Sequence, residues 1–269
     1  MRKLCLKVHR WLALPLGIVM SILCFSGLAL LLIKDVSGLF GMETKDIPLH
    51  AVVKQLHRWL FMMPENPHGG ISLGRIITAV TSMCMTLVLL TGVVIWWPKS
   101  KKALKNRLTV STNKGFRRFV YDSHVSLGIY VFVFLFLMAL TGPVFSFGWY
   151  RAGMSKLFGQ PMPPKEMKMQ QAKDGNQQGA TNDKAFAQTD TSQTKGQPQA
   201  QQDGAKYMKG DHHGKEPKGA KLFKQLHTGS WGGWFSCVLY AIAAFIGGFL
   251  PISGYYLWWK RRSAKKKKA

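Results

Sequence analysis

Hydrophobic positions are gathered into four long blocks, at residues 11–33, 71–97, 125–150 and 231–259, separated by segments that hold almost all of the charge. Each block exceeds the ~20 helical residues needed to cross ~30 Å of hydrocarbon. Arg75 and Arg151 stand at or near block edges, where a long side chain reaches the headgroups. The run 129–140, IYVFVFLFLMAL, has no polar face and so does not suit a soluble bundle. The pattern predicts an all-α membrane protein, a bundle of four transmembrane helices. The basic leader 1–10 resembles a signal peptide, but the apolar core behind it is too long and no small-x-small cleavage site follows. A lipoprotein signal at Cys24 is disfavoured by Leu23, so the first block is read as a retained helix.

Charge sets the expected orientation. The chain of 269 residues carries a net charge of +25. Residues 1–10 hold four basic side chains, loop 98–121 holds eight and no acid, and tail 260–269 holds seven, whereas loop 34–70 balances four against four. The positive-inside rule places both termini and loop 98–121 in the cytoplasm. Nucleic acid is therefore not the expected partner; the lipid bilayer, with its anionic headgroups, is. Residues 1–150 hold the first three spans with a short external loop 34–70 and a basic cytoplasmic loop 98–121. Residues 151–226 form an external low-complexity linker, expected to be largely disordered, and 227–269 the fourth span with its basic tail. From about 160 to 220 large aliphatics are nearly absent, so too little apolar surface is available to offset chain entropy. Met162, Met167, Met169, His212 and His213 fall there and read as part of a solubilising linker rather than a soft-metal site. The four cysteines form no CxxC or CxxCH, which excludes c-type haem by motif and gives no basis for a disulfide framework or iron–sulfur cluster.

An internal repeat emerges next. His9-Arg10-Trp11-Leu12 opens the first block, with Ser26-Gly27 17 and 18 residues beyond that histidine; His124 opens the third, with Thr141-Gly142 at the same offsets. The second and fourth blocks end alike, in Thr91-Gly92…Trp96-Trp97 and Ser253-Gly254…Trp258-Trp259, and each is preceded by a Leu-His pair, Leu56-His57 and Leu226-His227. The bundle is thus expected to consist of two parallel two-helix repeats related by an axis along the membrane normal. The paired tryptophans read as interfacial anchors.

The repeat turns scattered histidines into two pairs, His9 with His124 on the cytoplasmic side and His57 with His227 on the external side. Two neutral imidazoles from separate helices supply both axial ligands of a b-type haem, so the expectation is two such haems. A flat macrocycle needs small residues beside it: Gly128 lies one turn above His124, while Gly27 and Gly142 lie five turns beyond His9 and His124 on the same helix faces, ~27 Å away, and should flank the opposite haem. His57 is expected on a short separate helix, 51–63, with His68 a credible substitute and His50 a weaker one. Arg10, Arg58 and Arg75 suit haem propionates or lipid phosphates equally.

The HRWL opening with its distant Ser-Gly, the LHRWL before the second span, the Thr-Gly-x-x-x-Trp-Trp-Pro after it and the Leu-His-Thr-Gly before the last resemble the PepSY-associated transmembrane helix family. That resemblance implies the bacterial inner membrane, axial ligation by His9, His57, His124 and His227, and the activity of a di-haem ferrisiderophore reductase. The chain departs from longer members in having reduced loops where folded PepSY domains often stand. No dinucleotide or flavin motif is visible, so the cytoplasmic electron donor must be a quinol or a separate reductase, and the acceptor an external ferric chelate. Two alternatives stand beside this reading: a cytochrome subunit of another reductase, and a haem-free membrane adaptor or assembly factor. A transporter is disfavoured because no span carries an intramembrane acid or base.

Overall fold

The computed structural model describes residues 1–63, 72–160 and 218–266. Among these, all regular elements are helical: α1 (Arg2–Leu39), α2 (Pro48–Trp59), α3 (Leu73–Trp96), α4 (Lys101–Leu108), α5 (Phe116–Tyr130), α6 (Phe132–Thr141), α7 (Gly148–Leu157), α8 (Lys218–Thr228) and α9 (Gly233–Lys266). By length and apolarity α1, α3 and the α9 region can each cross a membrane, and α5 with α6 makes a fourth span if the bent pair counts as one. The chain is a multi-pass membrane protein. Its outward faces carry Ile18, Leu87, Val133 and Phe245, all more than half exposed, which inverts the pattern of a water-soluble fold.

The third hydrophobic block differs from expectation. Instead of one rod over 125–150, α5 and α6 meet at Val131 with a bend of 65°. Val131 has φ −93° and ψ 0°, roughly 40° from the helical ψ, and that one residue redirects the chain. Pro143, which has no N–H to continue a ladder, then falls in a 3-10 turn over Gly142–Phe145, and α7 begins at Gly148. The short helix before the second span is also shifted, to Pro48–Trp59: Pro48 pre-sets the first turn, and Leu60 closes it in a left-handed conformation.

The chain divides into a unit of residues Met1–Met154 with Lys221–Ala269 and a second of Ser155–Ala220, of which only the two ends are described. Those ends belong to helices α7 and α8; the remainder of the expected linker, with His212, His213 and its methionines, lies outside the described residues, as does His68.

Within the first unit α1 and α9 pack antiparallel. Lipid offers little hydrophobic drive between helices, so close approach of small residues and polar links hold them together. A Cβ on Gly248 would come within 2.6 Å of the Phe25 ring, and one on Gly17 within 2.9 Å of Tyr255. Ser21 Oγ donates to Gly248 O at 2.9 Å, and the Tyr255 hydroxyl donates to Leu14 O. Leu135 of α6, fully buried, packs with Cys24, Val131 and Ala243 at mid-bundle. The start of α1 and the end of α9 therefore lie at one end of the bundle, here the termini end, and α2 and α8 at the other.

Candidate functional site

Two histidine pairs stand at opposite ends of the bundle. Away from the termini, His57 comes from α2 and His227 from the last turn of α8. α2 is pinned to α3 because Gly74 leaves room for the Trp59 carbonyl, which a Cβ would meet at 1.8 Å, and because Thr78 Oγ1 donates to Arg58 O at 3.2 Å. α8 is anchored by Phe223, which is fully buried against Val144 and Met154. Gly229, at φ +74°, turns the chain away from α8 over the face of Tyr240. The result places the His57 and His227 ring centres 6.2 Å apart, with Phe145 edge-on to His227 at 5.4 Å.

At the termini end, His9 of α1 and His124 of α5 both line a cavity of about 830 Å³. Gly128 lines it too, as do Arg10, Arg2, Arg107 and Arg261. Its size lies within the range of ordinary cofactor pockets, roughly 300–1,000 Å³.

All four imidazoles are held in one manner. His9 Nδ1 lies 2.9 Å from Val88 O and 3.2 Å from Thr91 Oγ1. His227 Nδ1 lies 3.1 Å from Met138 O and 3.0 Å from Thr141 Oγ1. His57 Nδ1 lies 2.9 Å from Ser26 Oγ and beside the Leu23 carbonyl; His124 Nδ1 lies 2.7 Å from Ser253 Oγ and beside the Leu250 carbonyl. Each hydroxyl donates its own hydrogen to a carbonyl one turn back on its helix, so it is free to accept from the ring. A carbonyl oxygen only accepts, so Nδ1 carries the proton and Nε2 keeps its lone pair. This is the tautomer of a metal-ligating histidine whose other nitrogen is fixed by an outer partner.

Next to each hydroxyl is a glycine that faces the ring it holds. A Cβ would meet His57 Cε1 at 3.1 Å from Gly27, His9 Cε1 at 3.5 Å from Gly92, His227 Cε1 at 3.8 Å from Gly142 and His124 Cε1 at 3.8 Å from Gly254. Gly27 and Gly142 therefore sit beside histidines of the opposite end from those that open their helices.

Electrostatics at the His57 pair favour neutral rings. Burial, then the charge of His227, then that of Arg58 pull His57 down to about 4, and burial takes His227 to about 4. Arg58 stacks over Trp59 at 4.9 Å and is itself lowered by burial and by Arg75 nearby. Arg75 donates to Phe145 O at 2.5 Å. His50 stands beside Lys54, and it is His57 that faces His227.

The family model described as PepSY-associated TM region matches residues 37–261, more than half of the chain. The chain belongs to this family. No curated protein and no solved structure matches it. His57, His124 and His227 fall within the stretch matched to the PepSY-associated TM region, whereas His9, Arg10 and Gly27 precede it.

The donor chemistry of the His57–His227 pair suits a haem, and His9 and His124 share a cavity of ordinary cofactor-pocket size. Among the described residues no three His, Cys, Asp or Glu side chains cluster as a bare metal ion would require. Two imidazoles suffice when a macrocycle provides the other four donors. Two imidazoles sharing one metal at ~2 Å per bond would have ring centres about 6 Å apart, and those of His57 and His227 are 6.2 Å apart.

Sequence reasoning did not identify the partners of the rings. Ser26, Thr91, Thr141 and Ser253 were visible as repeated Ser-Gly and Thr-Gly steps, and Gly92 and Gly254 with them, but their pairing with particular histidines needs the fold. Asp122, 4% exposed and bound to Arg118 Nε at 2.8 Å and Ser111 N at 3.3 Å, fastens the segment before α5 and was also missed.

Proposed function

We propose that this chain is a di-haem electron-transfer protein of the bacterial inner membrane, passing electrons from a cytoplasmic donor to an external ferric chelate such as a ferrisiderophore. The termini end is taken as cytoplasmic on the positive-inside rule, and the halves as two parallel repeats. The observation that carries the reading is the fourfold histidine arrangement: proton fixed on Nδ1 by hydroxyl and carbonyl, Nε2 left with its lone pair, glycine under the ring.

His9 and His124 would hold one haem and His57 and His227 the other. A b-type haem held by these imidazoles would supply a one-electron ferric/ferrous couple. The protein's part is orientation. The hydroxyls fix each ring's rotation, Gly27 keeps the space beside His57 open, Gly142 lets Ser82 approach next to His227, and Arg10 and Arg58 supply positive charge near each pair for carboxylates.

An absorption spectrum of purified protein in both redox states tests this directly. A reduced α-band of bis-histidine haem is expected, about halved in His124→Ala; a full band in that variant removes the ligand assignment. Pre-reduced protein mixed with a ferric siderophore should reoxidise rapidly. Reoxidation no faster than in buffer would leave a cytochrome that serves another reductase.

A further inference from the structure

Seven cationic side chains line the cavity that His9 and His124 share, and among the described residues no acidic one does. Three of them keep register with the histidines. Arg2 lies seven residues before His9 on α1, Arg117 seven before His124 on α5, and Arg261 seven beyond Gly254, the glycine that faces His124 on α9. Seven residues make two turns, so each arginine keeps the face of its reference residue and stands ~10 Å nearer the termini end. Lys114 adds to this rim from the segment before α5, and all four are exposed. The same cavity reaches inward to Leu135 and Gly247 at mid-bundle, so its walls come from all four spans and its rim belongs to the end face of the bundle. Lys101, Lys102 and Arg262 are exposed at this end too but line no part of the cavity, and they are left for lipid headgroups.

A haem in this cavity brings two carboxylates, and Arg118 is already bonded to Asp122, which leaves most of the seven cations unneutralised by the described residues. A concave surface of one sign focuses its field and speeds the capture of an opposite charge. We infer that this rim docks an acidic, soluble one-electron carrier protein, which delivers electrons to the metal held between His9 and His124. A lipid-borne quinol suits the cavity less well. Its oxidation releases protons, and the lining has no carboxylate to take them, while each imidazole already holds its proton on Nδ1 and turns Nε2 to the metal. In the carrier's case one electron leaves its reduced centre and one ferric ion becomes ferrous, and no proton or atom passes between the two proteins. The inference rests on the haem reading and selects, within it, a separate reductase over a quinol.

The test measures association of the full-length chain, in nanodiscs of phosphatidylcholine alone, with two acidic probes, a plant-type ferredoxin and a flavodoxin. Lys114→Glu/Arg117→Glu/Arg261→Glu reverses the rim, and Lys101→Glu/Lys102→Glu/Arg262→Glu reverses as much charge off the cavity. Should the rim reversal not fold, Lys114→Gln/Arg117→Gln/Arg261→Gln carries the same test with a smaller fall. Steering by a cleft of one sign is worth roughly tenfold to a thousandfold in association rate. The parent should bind at least one probe, with a rate that falls steeply between about 0.05 M and 0.3 M salt. The rim variant should bind at least about tenfold more slowly, and the off-cavity variant within about threefold of the parent. In stopped flow the reduced probe should reduce the parent's haem with the same salt and charge dependence, and faster than duroquinol, an uncharged quinol, does. Binding of neither probe, faster reduction by duroquinol, or equal loss in the two triple variants, as a rim that merely meets headgroups would give, overturns the inference and leaves the haem reading standing. Absence of a bis-histidine spectrum in the parent overturns the haem reading, and the electron-transfer role of the rim with it, whatever the probes do.

Discussion

Replacing Gly27 by alanine probes the histidine cradle most directly. The added methyl would sit 3.1 Å from His57 Cε1 and 3.6 Å from Nδ1, so the ring must retreat by a few tenths of an ångström. It has little room to do so. α2 is held by the Trp59 carbonyl against Gly74, and the ring itself by Ser26. Overpacking of this degree costs about 1–3 kcal/mol, which corresponds to roughly tenfold to a hundredfold in affinity at that site. Alanine is intrinsically better than glycine within a helix by ~1 kcal/mol, so any loss is steric and not a matter of helix propensity. Gly254→Ala is the control, because its methyl would stand 3.8 Å from His124 Cε1, an ordinary contact. Haem stoichiometry of the two purified variants should differ, with Gly27→Ala retaining about half the parent's content at limiting haem and Gly254→Ala nearly all of it. Equal occupancy in the two would refute the claim that glycine is required by the ring's position.

Three further outcomes are expected. In the chain without cofactor, His57 and His227 are neutral to about pH 4 when folded and to about 6.5 when unfolded, so the unfolded state binds more protons between those values. Stability should be full above pH 6.5 and fall by on the order of 3 kcal/mol per histidine as pH drops to 4, then level off; denaturant unfolding in micelles across that range checks it, and a flat profile contradicts it. Gly248→Ala drives a methyl into the Phe25 ring and should separate α1 from α9, lowering stability by about 1–3 kcal/mol in the same assay. Asp122→Asn replaces the carboxylate held by Ser111 N and Arg118 and should cost about 1–2 kcal/mol locally, read as faster hydrogen exchange in the residues around 111 with α9 unchanged.

Much of the architecture could be read from the sequence because lipid imposes long unbroken apolar blocks, and the histidines stood out because they flank those blocks at repeated offsets. The bend at Val131 was invisible for the same reason: in the run 129–140 the Tyr130 hydroxyl is the one polar side-chain group, and no proline or glycine marks where ψ changes. Hydroxyl partners were hidden because Ser26 and His57 are 31 residues apart, and only the packing of α2 against α1 and α3 joins them. Lys114 and Arg117 read as part of a topology signal, because a count of charge along the chain does not tell which side chains line a cavity.

α1 contributes His9 near one end and Ser26-Gly27 near the other, and both are bonded across to different neighbours. It therefore behaves as a keyed shaft. Inserting a single residue anywhere in 10–25 would rotate one set of teeth by about 100° against the other and leave at least one end unmeshed. Even where Gly17, Ser21, Cys24 and Phe25 keep their contacts, a change in the length of that stretch would undo the meshing.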